Sequence, residues 1–144
     1  MKNVIISISI IFMLTSCDSF VEKKIIGKWE NKDLERIANV ACQQITRINF
    51  KEDFSYECTC KYTPLYFGEY VKIGCLSSYY SNSITLRFEG TWKIQNGDVV
   101  IKFESNNTGL NFEELGFEGI EKEKLTQITD SIMILDDTKF KRIQ

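Results

Sequence analysis

Between residues 84 and 95 apolar and polar side chains alternate: Ile84, Leu86, Phe88, Gly90, Trp92 and Ile94 share one face, and Thr85, Arg87, Glu89, Thr91, Lys93 and Gln95 the other. A period of two is that of a β-strand with one face in a core and one in water. Asn96-Gly97 follows, a dipeptide suited to positive φ at both central positions of a type I′ turn, and residues 98–104 continue as a second strand. A two-residue turn sets the register, so that Ile94 opposes Val99, Trp92 opposes Ile101 and Gly90 opposes Phe103. Each inward position then meets an apolar partner or, at Gly90, leaves room for one.

An earlier hairpin places Thr46, Ile48 and Phe50 before Lys51-Glu52-Asp53, and Phe54, Tyr56, Cys58, Cys60 and Tyr62 after it, with Ser55, Glu57, Thr59 and Lys61 facing water. If Phe50 opposes Phe54, Ile48 meets Tyr56 and Cys42 lies diagonal to Cys60. A weaker strand carries Val71, Ile73 and Cys75. Residues 122–128, 132–135 and 139–143 read as three more, separated by turns at Thr129-Asp130-Ser131 and Asp136-Asp137. Helix is scarce: residues 33–40 suit one short turn of helix, and 106–119 read either way. Eight to ten antiparallel strands in sequence order within one domain predict an all-β, up-and-down barrel.

The N-terminus has a different character. Lys2 precedes an apolar stretch over residues 4–14, which matches the roughly 7–15 apolar residues of an export signal and falls short of the roughly 20 needed to cross a bilayer as a helix. Leu14-Thr15-Ser16-Cys17 resembles the lipobox of bacterial lipoproteins. That resemblance implies a signal peptide over 1–16, acyl chains such as palmitate on Cys17, a tether over 17–24 and a folded domain over 25–144. Residues 18–24 reach at most ~25 Å when extended. The domain is therefore expected at a membrane of the cell envelope, facing the periplasm or the exterior and held by lipid.

Removing 16 residues from 144 leaves 128, enough for one domain with a real core. Without Lys2, 17 basic side chains stand against 20 acidic ones, a net charge of −3 with no basic block, which argues against nucleic acid as a partner. The chain has no histidine. This removes the usual general base, the Ser/His/Asp and Cys/His nucleophiles and the commonest transition-metal ligand. Adjacent acids such as Glu113-Glu114 and Asp136-Asp137 read as solvated turns. The expectation is a protein that binds rather than catalyses, with no catalytic residue, resident metal or cofactor.

Gly27-Lys28-Trp29 near the start, Gly90-Thr91-Trp92 in the central hairpin and Phe140-Lys141-Arg142-Ile143 at the end resemble the lipocalin-like, calycin-type lipoproteins of bacteria. The resemblance implies that Arg142 of the closing strand lies over Trp29 of the opening strand at the barrel's closed end, a contact worth about 0.5–2 kcal/mol. It also implies an interior pocket. The inward residues Tyr56, Phe88, Trp92 and Phe103, with Ile48, Phe54, Leu86 and Ile101, could line a site for a small apolar ligand or simply fill a narrow barrel. A second class of function is an envelope protein–protein module, such as an inhibitor, immunity or assembly factor, using the aromatic loops 62–66 and 76–83 with Tyr79-Tyr80. Asp18 resembles an inner-membrane retention signal whereas the lipocalin-like pattern favours the outer membrane, so both remain open.

Besides Cys17, an even set of Cys42, Cys58, Cys60 and Cys75 in an exported chain predicts two disulfides. A Cys58–Cys60 bond would close a strained ring. The diagonal placement favours Cys42–Cys60 with Cys58–Cys75 over the rival Cys42–Cys58 with Cys60–Cys75, each bond worth about 2–4 kcal/mol. The alternative is a soft-metal thiolate site built on Cys58 and Cys60, against which stand the tight spacing and the absence of histidine.

Overall fold

The computed structural model describes residues 18–37, 40–66, 72–73, 76–77 and 83–144. A helical segment, α1, covers residues 18–25. Ten strands follow: β1 (Gly27–Ile37), β2 (Val40–Phe50), β3 (Ser55–Pro64), β4 (Lys72–Ile73), β5 (Leu76–Ser77), β6 (Ile84–Gln95), β7 (Asp98–Asn106), β8 (Ile120–Ile128), β9 (Ile132–Leu135) and β10 (Thr138–Ile143). Eight of them close into a barrel in the order β1-β10-β9-β8-β7-β6-β3-β2, while β4 and β5 form a separate two-stranded ribbon. Every pairing is antiparallel. Ring neighbours are chain neighbours once the ribbon is set aside, so the architecture is the expected up-and-down barrel.

The β6–β7 hairpin has the register read from its pattern, with Ile94 opposite Val99 and Trp92 opposite Ile101. Asn96 (φ 57°) and Gly97 (φ 80°) supply the two left-handed positions of its turn. At Gly90 a Cβ would stand 2.0 Å from the Lys102 carbonyl oxygen, so only glycine lets β6 approach β7 there. A bulge at Glu89/Gly90 then shifts the register by one.

The β2–β3 hairpin departs from expectation by two residues. Phe50 faces Tyr56, Ile48 faces Cys58 and Thr46 faces Cys60. The turn is longer because Phe54 adopts φ 62°, its amide donating to the Lys51 carbonyl at 3.1 Å, and its ring swings out to lie 5.4 Å from that of Trp92. Phe54 is thus a turn residue, half-exposed, rather than part of the inner wall. Residues 33–37 and 40 are strand, not helix: Asp33 faces Gln44, Glu35 faces Cys42 and Ile37 faces Val40. The ladder to β2 overrides the helical spacing of that stretch.

The strands meet around α1 at one end, where the barrel is packed solid. Ile25, Trp29, Phe50, Val99, Ile101 and Met133 are completely buried, and the Phe50 and Trp92 rings meet edge-on at 5.2 Å. Closure here rests on a short seam, since β1 pairs with β10 only at Lys28–Ile143, Trp29–Arg142 and Glu30–Lys141. Arg142 reinforces it. Its guanidinium carbon lies 4.1 Å from the Trp29 ring centroid, and its nitrogens donate to the carbonyls of Asp130 (2.7 Å), Ile26 (2.8 Å) and Lys24. The Trp29 indole donates to the Ile25 carbonyl at 2.7 Å. Two carbonyls at the C-terminal end of α1, which lack intrahelical partners, are thereby satisfied, one of them by a cation where the helix dipole favours one. Gly27 (φ 131°) makes room, because a Cβ there would stand 2.3 Å from Arg142 Nη1.

Residues 18–24 are therefore not an extended tether. They are helical, and Val21 packs against the core. The leader, residues 1–16, and Cys17 lie outside the described residues, as do Cys75, Tyr79 and Tyr80.

Replacing Arg142 by Lys keeps the charge but loses the planar fork and most of the stacking. The expected loss is about 2–4 kcal/mol of unfolding free energy by urea denaturation. Loss below about 0.5 kcal/mol would show that the seam closes without it.

Candidate functional site

At the opposite end the interior is hollow. A cavity of about 760 Å³ opens there, and its walls come from β2, β3, β6, β7, β8, β9 and β10 and from the connection between β7 and β8. Three kinds of side chain face it.

The first is aromatic. Phe88 and Phe103 stand 5.5 Å apart, Tyr56 lies 6.0 Å from Phe103, and Phe117 meets Phe88 edge-on at 5.0 Å. Phe117 arrives from residues 107–119, which fold back over the rim. Asn111 and Glu114 hold each other in reciprocal bonds: the Glu114 amide donates to Asn111 Oδ1 at 2.8 Å and the Asn111 amide to Glu114 Oε2 at 3.0 Å. This is the arrangement of a capping box. It tightens the following turn, where the Phe117 amide donates to the Phe112 carbonyl, buries Leu115 and sets Phe112 5.8 Å from Phe103.

The second wall is acidic. On β8, Glu121, Glu123 and Leu125 are half-buried while Lys122 and Lys124 are exposed, so the alternation aims both carboxylates into the barrel. Burial raises the Glu123 carboxyl to about 7, with further upward pressure from Glu121 and Asp136. Glu121 is also raised, by burial and then by Glu118. At neutral pH Glu123 is therefore poised between its charged and neutral forms.

The third wall carries hydroxyls and thiols: Thr46, Cys58, Cys60 and Tyr62. The sulfurs of Cys58 and Cys60 are 3.7 Å apart, and the Thr46 hydroxyl reaches the Cys60 sulfur at 3.9 Å. The two thiols titrate as a pair. Hydrogen bonding from Cys58 holds Cys60 low against its burial, while the same bond and then burial push Cys58 up. Burial also raises the phenols of Tyr56 and Tyr62.

Of the inner-wall residues singled out from the sequence, Ile48, Tyr56, Phe88 and Phe103 reach this cavity, and Leu86 and Ile101 do not. Trp92 does not line it. It lies beneath in the packed floor, its indole donating to the Lys51 carbonyl at 3.1 Å. Trp29 and Arg142 meet at the closed end. Cys42, Cys58 and Cys60 are free thiols. The Cys42–Cys60 bond is ruled out by register, since Cys42 faces Pro64 and Cys60 faces Thr46. Four residues of strand, ~13 Å, separate the two, beyond the Cα reach of a disulfide. The two acids were missed, although the phase of Glu121, Lys122, Glu123, Lys124 and Leu125 points them inward once Leu125 is placed in the core.

No protein-family model matches the chain, and no curated protein matches it. Among solved structures it is similar to a lipocalin-like protein from Bacteroides uniformis at 15% identity and a TM-score of 0.48, over 83% of this chain and 99% of that one.

Because the folded state holds a proton on Glu123 that the unfolded chain releases near 4.5, the ordinary value for a glutamate carboxyl, the native state binds more protons between pH 4.5 and 7. Stability is then fully present below that window and falls as pH rises through it. Urea titrations from pH 4.5 to 7.5 should show a loss of about 1–3 kcal/mol attributable to this group, absent in Glu123→Gln. Identical pH profiles for the two proteins would contradict the placement of Glu123.

Proposed function

We propose that the protein is a non-enzymatic, lipid-anchored binding protein of the bacterial envelope that takes one small molecule into the open end of its barrel. The observation that carries this reading is the cavity, hollow and lined by three chemistries. A protein that needed only a packed core would not leave such a volume beside two carboxylates whose burial costs free energy. The aromatic wall suits an apolar body, and the Glu121 and Glu123 wall suits a cationic or hydrogen-bond-donating end. The favoured ligand class is thus an apolar molecule bearing an amine or similar donor.

The anchor reading fits this arrangement. Cys17 immediately precedes α1, which docks at the closed end, and Phe20 of that helix is exposed. A lipid on Cys17 would turn the closed end toward the bilayer and the cavity mouth away from it, open to solutes.

The test uses a cationic naphthylamine dye and an anionic dye of the same ring system. The cationic dye should bind and the anionic one should not. Glu123→Gln should weaken binding by about tenfold, equivalent to 1.4 kcal/mol, and Thr46→Phe, which fills the cavity, should abolish it with the barrel's circular dichroism unchanged. Undiminished binding in Thr46→Phe, or no binding of either dye by the wild type, would overturn the proposal.

A further inference from the structure

From the sulfur pair on the cavity wall we infer a second, inorganic binding capacity: Cys58 and Cys60 form a two-sulfur site for a soft monovalent metal ion of the Cu(I) or Ag(I) class.

The pair is built into a part of the wall that is paired on both edges. β3 is hydrogen-bonded on both sides, with Cys58 set between Ile48 and Phe88 and Cys60 between Thr46 and Leu86. Residues two apart on a strand project to the same face, so both sulfurs point into the barrel, 3.7 Å apart and almost wholly screened from bulk water. A torsion change in either side chain opens that gap enough to seat an ion. A Cys58–Cys60 disulfide is disfavoured, because two residues of extended strand hold the Cα atoms about 6.7 Å apart, at the far limit for such a bond. The pair is therefore suited to remain as thiols.

The donor count selects the metal. Among the described residues no group of three or more His, Cys, Asp or Glu side chains is arranged to hold a metal ion. Zinc, which wants four ligands of that kind, has no such set. A soft d¹⁰ monovalent ion needs only two sulfurs, and thiolates are the donors it prefers. The surroundings help: the Thr46 hydroxyl lies against Cys60, and the Glu121 and Glu123 wall of the same cavity draws cations toward the sulfurs. On binding, two S–H bonds lose their protons to solvent and two sulfur–metal bonds form. No electron is transferred, because the ion arrives already monovalent. The site does not depend on any organic ligand, and dye binding and metal binding report on the two proposals separately.

The experiment uses the full chain, reduced and transferred to oxygen-free buffer without thiol, and titrated with Ag(I) or with Cu(I) in the presence of a competing chelator. Native mass spectrometry should show one ion per chain, the mass rising by that of the ion less one proton as charge balance requires for a monovalent ion, while proton release in weakly buffered solution approaches two per ion. Cys58→Ser and Cys60→Ser should each weaken binding by about a hundredfold, since one of two sulfurs is lost, and Cys42→Ser should leave it unchanged, with circular dichroism reporting the fold of each variant. Cys58→Ala provides a second substitution should the serine prove disruptive. The inference is overturned if the wild type takes up no ion, if both serine variants bind as the wild type does, if zinc competes equally at the same residues, or if peptide mapping of the native protein finds Cys58 or Cys60 in a disulfide.

Discussion

The barrel stands on a seam of three residue pairs. Seven other junctions in the ring come from strands adjacent along the chain or joined through the β4–β5 ribbon, but β1 and β10 must find each other across the whole sequence. Arg142 makes that junction specific. One planar cation covers the Trp29 indole and takes three backbone carbonyls from two different segments, and Gly27 is bare so that it fits. Without closure, period-two alternation would mean only one wet and one dry face. With closure, it means inside and outside, and each inward residue of every strand is committed to a shared interior.

That interior divides. Near the seam, large side chains from β1, β2, β6, β7 and β9 meet and leave nothing open. Toward the other end β9 and β10 stop early, β8 brings glutamates instead of aliphatic residues, and β3 brings thiols. The volume the floor residues would have filled is bounded instead by Phe117 of the folded-back connection. A packed floor gives the wall rigidity, and a rigid wall lets a few polar groups keep fixed positions in a low-dielectric space, where a carboxyl such as Glu123 titrates near neutrality.

Much of this was legible in the residues. The β6–β7 pattern with Asn96-Gly97 specifies its own register, because turn length and alternation agree. The β2–β3 register was not legible, because nothing local announces that Phe54 will take a left-handed conformation and leave the strand; the gain comes from Trp92, a residue of another hairpin. The same slip misplaced the cysteines. Residues 33–37, read as part of a short helical turn, become strand through pairing with β2, a tertiary effect. Trp92 was inward as read, but its depth along the barrel axis depends on stagger between strands, which no single strand encodes. Glu121 and Glu123 were visible in phase, yet charged residues on an amphipathic strand are ordinarily assigned to water, and only the closed barrel reverses that reading.

The barrel is a single closed wall, solid below and hollow above, with the hollow reaching Cys58 and Cys60. Native-state labelling with a small neutral thiol reagent, followed by peptide mapping, tests it most directly. Cys60, followed by Cys58, should be modified far faster than the protein globally unfolds, because the reagent reaches both through the cavity. Protection of both thiols until global unfolding, with labelling at the unfolding rate, would mean that the upper barrel is filled and not hollow.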